Sequence, residues 1–229
     1  MGCCESARDV GRLTFEKKDC LDPFGREIGV GAQTCIVTES IHFQNKNKMT
    51  SSPINTFIEN WERWGGSWER WENPITARLA LLRYLYEQKR SQVLAWCAEA
   101  MPISGLAEAL QDAGIELRHP HRRNLSPELA MGLTGTDAAL AASGSLVLIP
   151  APGRSWLPAL IPIHHVALLP THRIYADLRS WRQDWLRTRP QDAARALIIS
   201  GPSFSDDIEL HKHYGMFGPR QVHLILFDE

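Results

Sequence analysis

The sequence contains no apolar stretch long enough to cross a membrane as a helix. No run approaches the roughly 18 apolar residues that a span requires, and no signal-peptide pattern is present. An excess of one charge is also missing, because 25 Lys and Arg oppose 26 Asp and Glu. Nucleic-acid binding depends on clustered basic residues that neutralise phosphates. We therefore expect a cytoplasmic protein with no membrane span and no nucleic-acid partner.

Cysteine is scarce and unevenly placed. Four of the five cysteines lie in the first 35 residues, and only Cys97 lies in the rest of the chain. No C-x-x-C pair occurs, whereas iron–sulfur clusters need closely spaced sets of thiolates. We therefore expect the chain to hold no cluster or other cofactor, and Cys97 to be a core residue.

Histidine is concentrated late in the chain, with six of nine after residue 160. His211 and His213 would share a face only on a strand, and no H-E-x-x-H motif is present. The nearby carboxylates show no recognisable ligand spacing. We expect no metal site.

The length of 229 residues suits one domain with a sizeable core and a small appendage. Residues 1–48 lack sustained periodicity and end in the polar run Gln44–Lys48. We expect them to be a flexible or extraneous extension, and residues 54–229 to form the domain. The first six residues also match the M-G-x-x-x-S acylation pattern, so a lipid-modified start is the alternative.

Helical and strand patterns alternate along residues 54–229 with short connections. Helices are predicted over Thr56–Trp64, Thr76–Arg90, Ser104–Gly114 and Asp177–Arg187. Strands are predicted over Val93–Trp96, Ile115–Leu117, Ile161–Leu169, Ala196–Ile199 and Val222–Phe227. This alternation predicts an α/β fold with a mixed or parallel sheet flanked by helices. On the second helix, the apolar side is predicted to include Leu79, Leu82, Leu85 and Tyr86.

A β-hairpin is predicted in the middle of the chain. Ala138–Ala142 and Ser145–Ile149 are apolar runs separated by Ser143-Gly144, which is the two-residue spacing of a hairpin. We expect Asp137 and Ser143 near opposite ends of its first strand.

Two adjacent histidines follow in the strand Ile161–Leu169. Successive side chains of a strand point to opposite faces, so one of His164 and His165 should face the interior or a cleft. Each could equally be a structural histidine with its hydrogen bonds satisfied.

The segment Leu197–Leu210 is predicted to be a strand, a turn and a helix. Helix N-termini bind anions, but Asp206 and Asp207 would already place negative charge in the first turn. Ser203 or Ser205 is therefore predicted to be the helix N-cap.

Three separated parts of the chain resemble motifs of the LUD-domain family, which is named for lactate utilisation protein C. They are Gly132–Ser145 followed by Leu160–His164, Ser200–Ser203 followed by Asp207–Glu209, and Gly218–Arg220 followed by Val222-His223. The resemblance runs from about Phe57 to the C-terminus and implies a fold similar to the NagB/RpiA/CoA-transferase-like group. It also implies an accessory or substrate-binding role, with iron–sulfur partner proteins, in the oxidation of L-lactate to pyruvate.

Two positions depart from the family pattern. Ala142 stands where the family commonly has Glu, and Phe217 stands where it commonly has His. Transferases of this fold group often use a carboxylate nucleophile, so Ala142 favours the non-catalytic role. The alternative is a stand-alone α/β enzyme, an acyl- or CoA-transferring or isomerising one, that acts on a small carboxylate.

Glycine and small polar residues beside apolar strands indicate a pocket. Buried polar groups cost free energy unless paired, and glycine weakens strands, so a core alone does not need this composition. The predicted substrate-binding residues are Thr134, Asp137, Ser143, His164, Ser203, Asp207 and Arg220. Asp137, Ser143, His164 and Arg220 are expected to approach a common cavity. Arg220 would bind a lactate or pyruvate carboxylate bidentately, or alternatively would pair with an acidic residue of 206–209.

Overall fold

The computed structural model describes residues 52–120, 130–188, 195–206 and 212–229. Two earlier expectations, the extension 1–48 and the site residue Asp207, lie outside these ranges. The described helices are α1 (Pro53–Arg63), α2 (Pro74–Glu87), α3 (Leu106–Asp112), α4 (Leu157–Leu160) and α5 (Leu178–Thr188). The described strands are β1 (Ser67–Trp71), β2 (Gln92–Ala95), β3 (Glu116–Arg118), β4 (Met131–Gly135), β5 (Ala138–Leu140), β6 (Ser145–Leu148), β7 (His164–Pro170), β8 (Ile174–Tyr175), β9 (Leu197–Ile199), β10 (Phe204–Asp206), β11 (Lys212–Tyr214) and β12 (Gln221–Phe227).

Six parallel strands form the central sheet, in the order β1-β12-β7-β4-β2-β3. Helix α2 packs against β12 and β1, α3 against β3, and α4 against β4 and β7. The predicted α/β fold, a sheet flanked by helices, is confirmed. Because all strands of this sheet run the same way, they all begin at one edge, the amino end, and all finish at the other, the carboxyl end.

A second sheet, in the order β8-β5-β6-β9, contains the predicted hairpin. Strands β5 and β6 are antiparallel, and Gly144 in their turn has φ of +62°. One face of this sheet joins the main core through Ala139 and Leu146, while the other packs Ala138 and Val147 against Trp181 of α5. The second sheet therefore forms a layer between the main core and α5.

Helix α2 begins where the sequence supplies a strong start signal. The Asn73 side chain accepts hydrogen bonds from the Ile75 and Thr76 amides, and the Thr76 hydroxyl accepts one from the Asn73 amide. Pro74 occupies the first turn, where its missing backbone N–H costs the helix no hydrogen bond. These caps set the residue at which α2 begins.

The predicted apolar side of α2 was wrong in two positions. Leu79 is 59% exposed and Tyr86 is 83% exposed. The buried stripe consists instead of Ala77, Ala80, Leu81 and Leu85. Apolar residues occur on both sides of this helix, and the side with small alanines is the one that lies against the sheet.

Residues 197–206 also differ from the prediction. Phe204–Asp206 pairs antiparallel with Lys212–Tyr214, so no helix begins at Ser203 or Ser205, and neither is an N-cap. Strand β9 is an edge strand of the second sheet, and its Ile198 is 46% exposed. Cys97, predicted to be a core residue, is only half-buried.

None of the helices in the described ranges is long and apolar enough to cross a membrane.

Candidate functional site

The predicted site residues are divided between the two ends of the central sheet. Met131 of β4 pairs with His164 of β7, whereas Thr134 pairs with Ala167. A strand rises about 3.3 Å per residue, so Thr134 lies about 10 Å along the sheet from His164. Asp137 follows the carboxyl end of β4 and is farther still. The expectation that Asp137 shares a cavity with His164 is therefore wrong, because parallel pairing puts the two residues at opposite ends.

At the amino end, the hairpin motif meets the Ser200–Ser203 motif. The Ser145 hydroxyl donates to that of Ser143 at 2.8 Å and lies 2.8 Å from the Ser200 hydroxyl. Ser143 and Ser200 are exposed, whereas Ser145 is buried. The indole of Trp64 donates to the Ser143 carbonyl at 2.9 Å and holds the turn in place. Two stretches that are 55 residues apart thus form one patch of hydroxyl groups.

The Gly218–Arg220 motif reaches the same end from the other side. The Ser203 amide donates to the Pro219 carbonyl at 2.9 Å, and the Phe217 amide donates to the Ser203 hydroxyl at 3.2 Å. The Arg220 amide donates to the Ile163 carbonyl at 2.7 Å, next to His164. Five residues therefore lie along one rim of the molecule, which we call the amino-end site. They are Ser143, Ser200, Ser203, Arg220 and His164.

The Arg220 side chain is exposed at this rim. Its aliphatic part covers Gly215, where any Cβ would overlap it and where φ is +85°. No ion pair of Arg220 is formed within the described residues, and the side chains of 206–209, with which the alternative would pair it, lie outside them.

His164 belongs to a cluster of ionisable groups between the sheet and α2. Its Nε2 atom lies 2.7 Å from the Tyr84 hydroxyl, and the Tyr84 ring stacks on His223 with centroids 4.1 Å apart. Burial, aided by the charges of His223 and Arg90, lowers the pKa of His164 to about 4. Burial also raises the pKa of Tyr84 to about 12. Both groups are therefore uncharged at neutral pH.

Glu69 supplies the negative charge of this cluster. Its Oε2 atom lies 2.6 Å from Nη2 of Arg83, and its Oε1 atom lies 3.5 Å from Nε2 of His223. Burial alone would raise the pKa of Glu69, but the hydrogen bond and charge of His223 and the charge of Arg83 bring it below its ordinary value. Nδ1 of His223 lies 2.9 Å from the Ser67 hydroxyl. The sequence interpretation missed Tyr84 and Glu69, because their contacts to β7 and β12 span 80 and 154 residues.

His165 points to the opposite face of β7 and is fully buried. Its Nε2 atom lies 2.8 Å from the Thr134 hydroxyl, and burial lowers its pKa to about 3. The expectation that one of the two histidines faces the interior is thus confirmed for His165. The hydroxyl of Thr134 is occupied by this contact.

At the carboxyl end, Asp137 is held by Arg154. One carboxylate oxygen pairs with the Arg154 guanidinium, and the other accepts a hydrogen bond from the Ile149 amide at 2.7 Å. The guanidinium also lies over the Trp96 ring, 4.5 Å from its centroid. The Asp137 side chain is only 5% exposed. Its carboxylate therefore stabilises the fold and is not open to a ligand.

The described part of the chain brings no three His, Cys, Asp or Glu side chains into an arrangement that could hold a metal ion.

Comparison with known proteins identifies relatives of part of this chain. Lactate utilization protein C from an Exiguobacterium species is 34% identical over 111 residues, which cover 47% of this chain and 48% of that protein. Lactate utilization protein C from Halalkalibacterium halodurans is 27% identical over 157 residues, covering 66% and 68%. The chain thus spans about half the length of the first relative and about two thirds of the second.

A solved structure shares the fold. The crystal structure of a DUF162 family protein from Deinococcus radiodurans aligns with a TM-score of 0.54 and 15% identity. The alignment covers 76% of this chain and 96% of that one. The family model described as the LUD domain matches residues 54–227, which is well over half of the chain. The chain therefore belongs to the LUD domain family.

Proposed function

We propose that this chain is a component of lactate utilisation, an accessory or substrate-binding protein that acts with iron–sulfur partner proteins in the oxidation of L-lactate to pyruvate. The observation that carries the proposal is that several relatives bear the name lactate utilization protein C. The oxidation releases two electrons and two protons. Because the chain has no C-x-x-C pair, the electrons pass to clusters held by the partners.

The amino-end site is proposed to bind the carboxylate of lactate or pyruvate. An exposed guanidinium suits this task, because its planar fork matches both oxygens of a carboxylate. Arg220 has this exposure, and Ser143 and Ser200, whose hydroxyls contact that of Ser145, are exposed residues along the same rim. His164 is buried at this end of the sheet, and its Nε2 atom lies 2.7 Å from the Tyr84 hydroxyl, so it supports the site without adding a competing charge.

The partner is proposed to dock beside Arg220. Tyr214, Met216 and Phe217 are large apolar residues that are 45%, 57% and 82% exposed. Clustered exposed apolar side chains often mark protein interaction sites. Phe217 stands where the family commonly has His, so an apolar contact replaces a polar group at this position.

The alternative, a transferase with a carboxylate nucleophile, finds less support. The position in the hairpin turn where the family commonly has Glu is the exposed Ala142. A carboxylate does occur near the hairpin, at Asp137, but it is buried and paired with Arg154. Neither position offers an accessible carboxylate.

Genetic complementation tests the proposed function. The full chain would replace lactate utilization protein C in a bacterium that has one, with L-lactate as the only carbon source. We expect the wild type and the matched control Arg63→Ala, which changes an exposed arginine at the end of α1, to restore growth. We expect Arg220→Ala to fail although it is expressed and folded. No growth with well-expressed wild type, while the bacterium's own protein restores it, would refute the proposal.

A further inference from the structure

We propose that the end of α2 forms a second binding site, for an amphipathic carboxylate with a short apolar chain. The site is an open cavity of about 490 Å³, within the range typical of small-molecule sites. Its wall includes the apolar side chains of Leu82, Tyr86 and Ile115, and its rim carries Lys89 and Arg90. This inference goes beyond the proposed role in lactate utilisation and does not depend on it.

The charge of the cavity favours an anion. Glu87 also lines it, but Oε1 of Glu87 lies 3.8 Å from Nε of Arg83, so this carboxylate already faces a cation. Lys89 and Arg90 are left as the cations that face the cavity. The pairing of two cations with an apolar wall matches a ligand that is anionic at one end and apolar at the other.

Arg90 lacks an acceptor for part of its guanidinium group. Its Nε atom is buried and makes no hydrogen bond within the described residues. A buried donor without a partner costs free energy, and a charged one costs more. A carboxylate in the cavity would balance the charge of this half-buried guanidinium. The Arg90 charge also reaches His164, whose pKa it helps to lower.

Lys89 is held in a backbone conformation that does not suit lysine. Its φ is +50°, and it is the only non-glycine residue with a positive φ among those described. The Lys89 amide donates to the Tyr86 carbonyl and the Arg90 amide donates to the Leu85 carbonyl, which is the Schellman motif in which glycine normally occupies this position. Such strain tends to be kept at ligand sites. Here it places an ammonium group at the rim of the cavity.

Calorimetric titration with hexanoate tests the site in the full chain. We expect the wild type to bind hexanoate saturably, and 1-hexanol at least tenfold more weakly. Arg90→Gln should weaken hexanoate binding at least tenfold. Lys89→Gly should also weaken it, yet should raise the melting temperature, because glycine relieves the strained turn while removing the charge. Arg63→Gln, an exposed arginine on α1, is the matched control and should change neither value.

The outcomes separate this site from the amino-end site. Arg220→Ala should keep the hexanoate binding that depends on Arg90, so a wild type that binds hexanoate but not lactate would count against the proposed function and not against this inference. Saturable hexanoate binding that is equal in wild type, Arg90→Gln and Lys89→Gly would overturn the inference, as would no binding by folded wild type. If Arg90→Gln does not fold, Lys89→Gly alone decides, since it is expected to be the more stable protein.

Discussion

The Tyr84 hydroxyl lies 2.7 Å from Nε2 of His164, while the Tyr84 ring stacks on His223. Tyr84→Phe keeps the stacked ring and removes only the hydroxyl. We expect the free energy of unfolding to fall by about 1–2 kcal/mol, because a buried ring nitrogen loses its hydrogen-bond partner. Urea denaturation measures this loss. The matched control is Tyr86→Phe, since Tyr86 lies on the same helix and is 83% exposed. Equal stabilities of the two variants would show that the contact between Tyr84 and His164 does not stabilise the fold.

The buried histidines make stability depend on pH. The folded-state pKa values of His164 and His165 are about 4 and about 3, below the roughly 6.5 of an unfolded chain. The unfolded chain therefore binds more protons below pH 6.5, and stability falls as the pH drops from there toward 4. Between pH 7 and 4.5, we expect the free energy of unfolding of His164→Gln to fall by roughly 2 kcal/mol less than that of the wild type. Denaturation curves across this range measure the difference, and parallel pH profiles would contradict it.

The sequence was informative where structure is local. The two apolar runs and the Ser143-Gly144 turn predicted the β5–β6 hairpin, and the apolar run at 161–169 predicted β7. The site was harder, because strand order in a parallel sheet is not encoded in local periodicity. Without the order β1-β12-β7, nothing brings Glu69 to His223.

The division of the predicted site has the same origin. Asp137 and Ser143 were correctly expected at opposite ends of a strand. The end that contains His164 follows only from the register of β4 with β7, which pairs Met131 with His164. The sequence motifs thus identified three stretches that meet at the amino end, namely the hairpin turn, Ser200–Ser203 and Gly218–Arg220. They did not show that Asp137 lies at the opposite end of the sheet.

Asp137 and Arg154 form a buried ion pair at the carboxyl end, with side chains 5% and 18% exposed. Asp137→Asn removes the charge and leaves the Arg154 guanidinium without its counter-ion. We expect a loss of roughly 3 kcal/mol, the scale for breaking a buried pair. In Arg70→Gln, which breaks the exposed pair with Asp228, the loss should stay below about 1 kcal/mol. Chemical denaturation compares the two free energies of unfolding. An equal loss would show that the Asp137–Arg154 pair stabilises the fold no more than an exposed ion pair does.

Gly132 lets α4 approach the central sheet. A Cβ at this position would overlap the carbonyl oxygen of Pro158 and lie 2.8 Å from its carbonyl carbon. We expect Gly132→Ala to destabilise the fold by roughly 2–3 kcal/mol, because the backbone must move apart. Gly65→Ala is the control, since a Cβ at Gly65 would have open space around it and only the positive φ of +83° disfavours alanine there. That change should cost about 1 kcal/mol. Thermal unfolding of both variants would reveal whether close approach or backbone conformation matters more.

The central claim is that the amino-end site binds a small carboxylate through Arg220. Calorimetric titration of L-lactate and pyruvate into wild type, Arg220→Ala and Arg70→Ala tests it most directly, since Arg70 is an exposed arginine whose partner Asp228 follows the carboxyl end of β12. We predict that Arg220→Ala weakens binding by about 1.5–3 kcal/mol, the scale of a charge-assisted hydrogen bond, and that Arg70→Ala leaves it unchanged. No binding by any of the three proteins, together with a lowered melting temperature for Arg220→Ala alone, would contradict the claim and assign Arg220 a structural role.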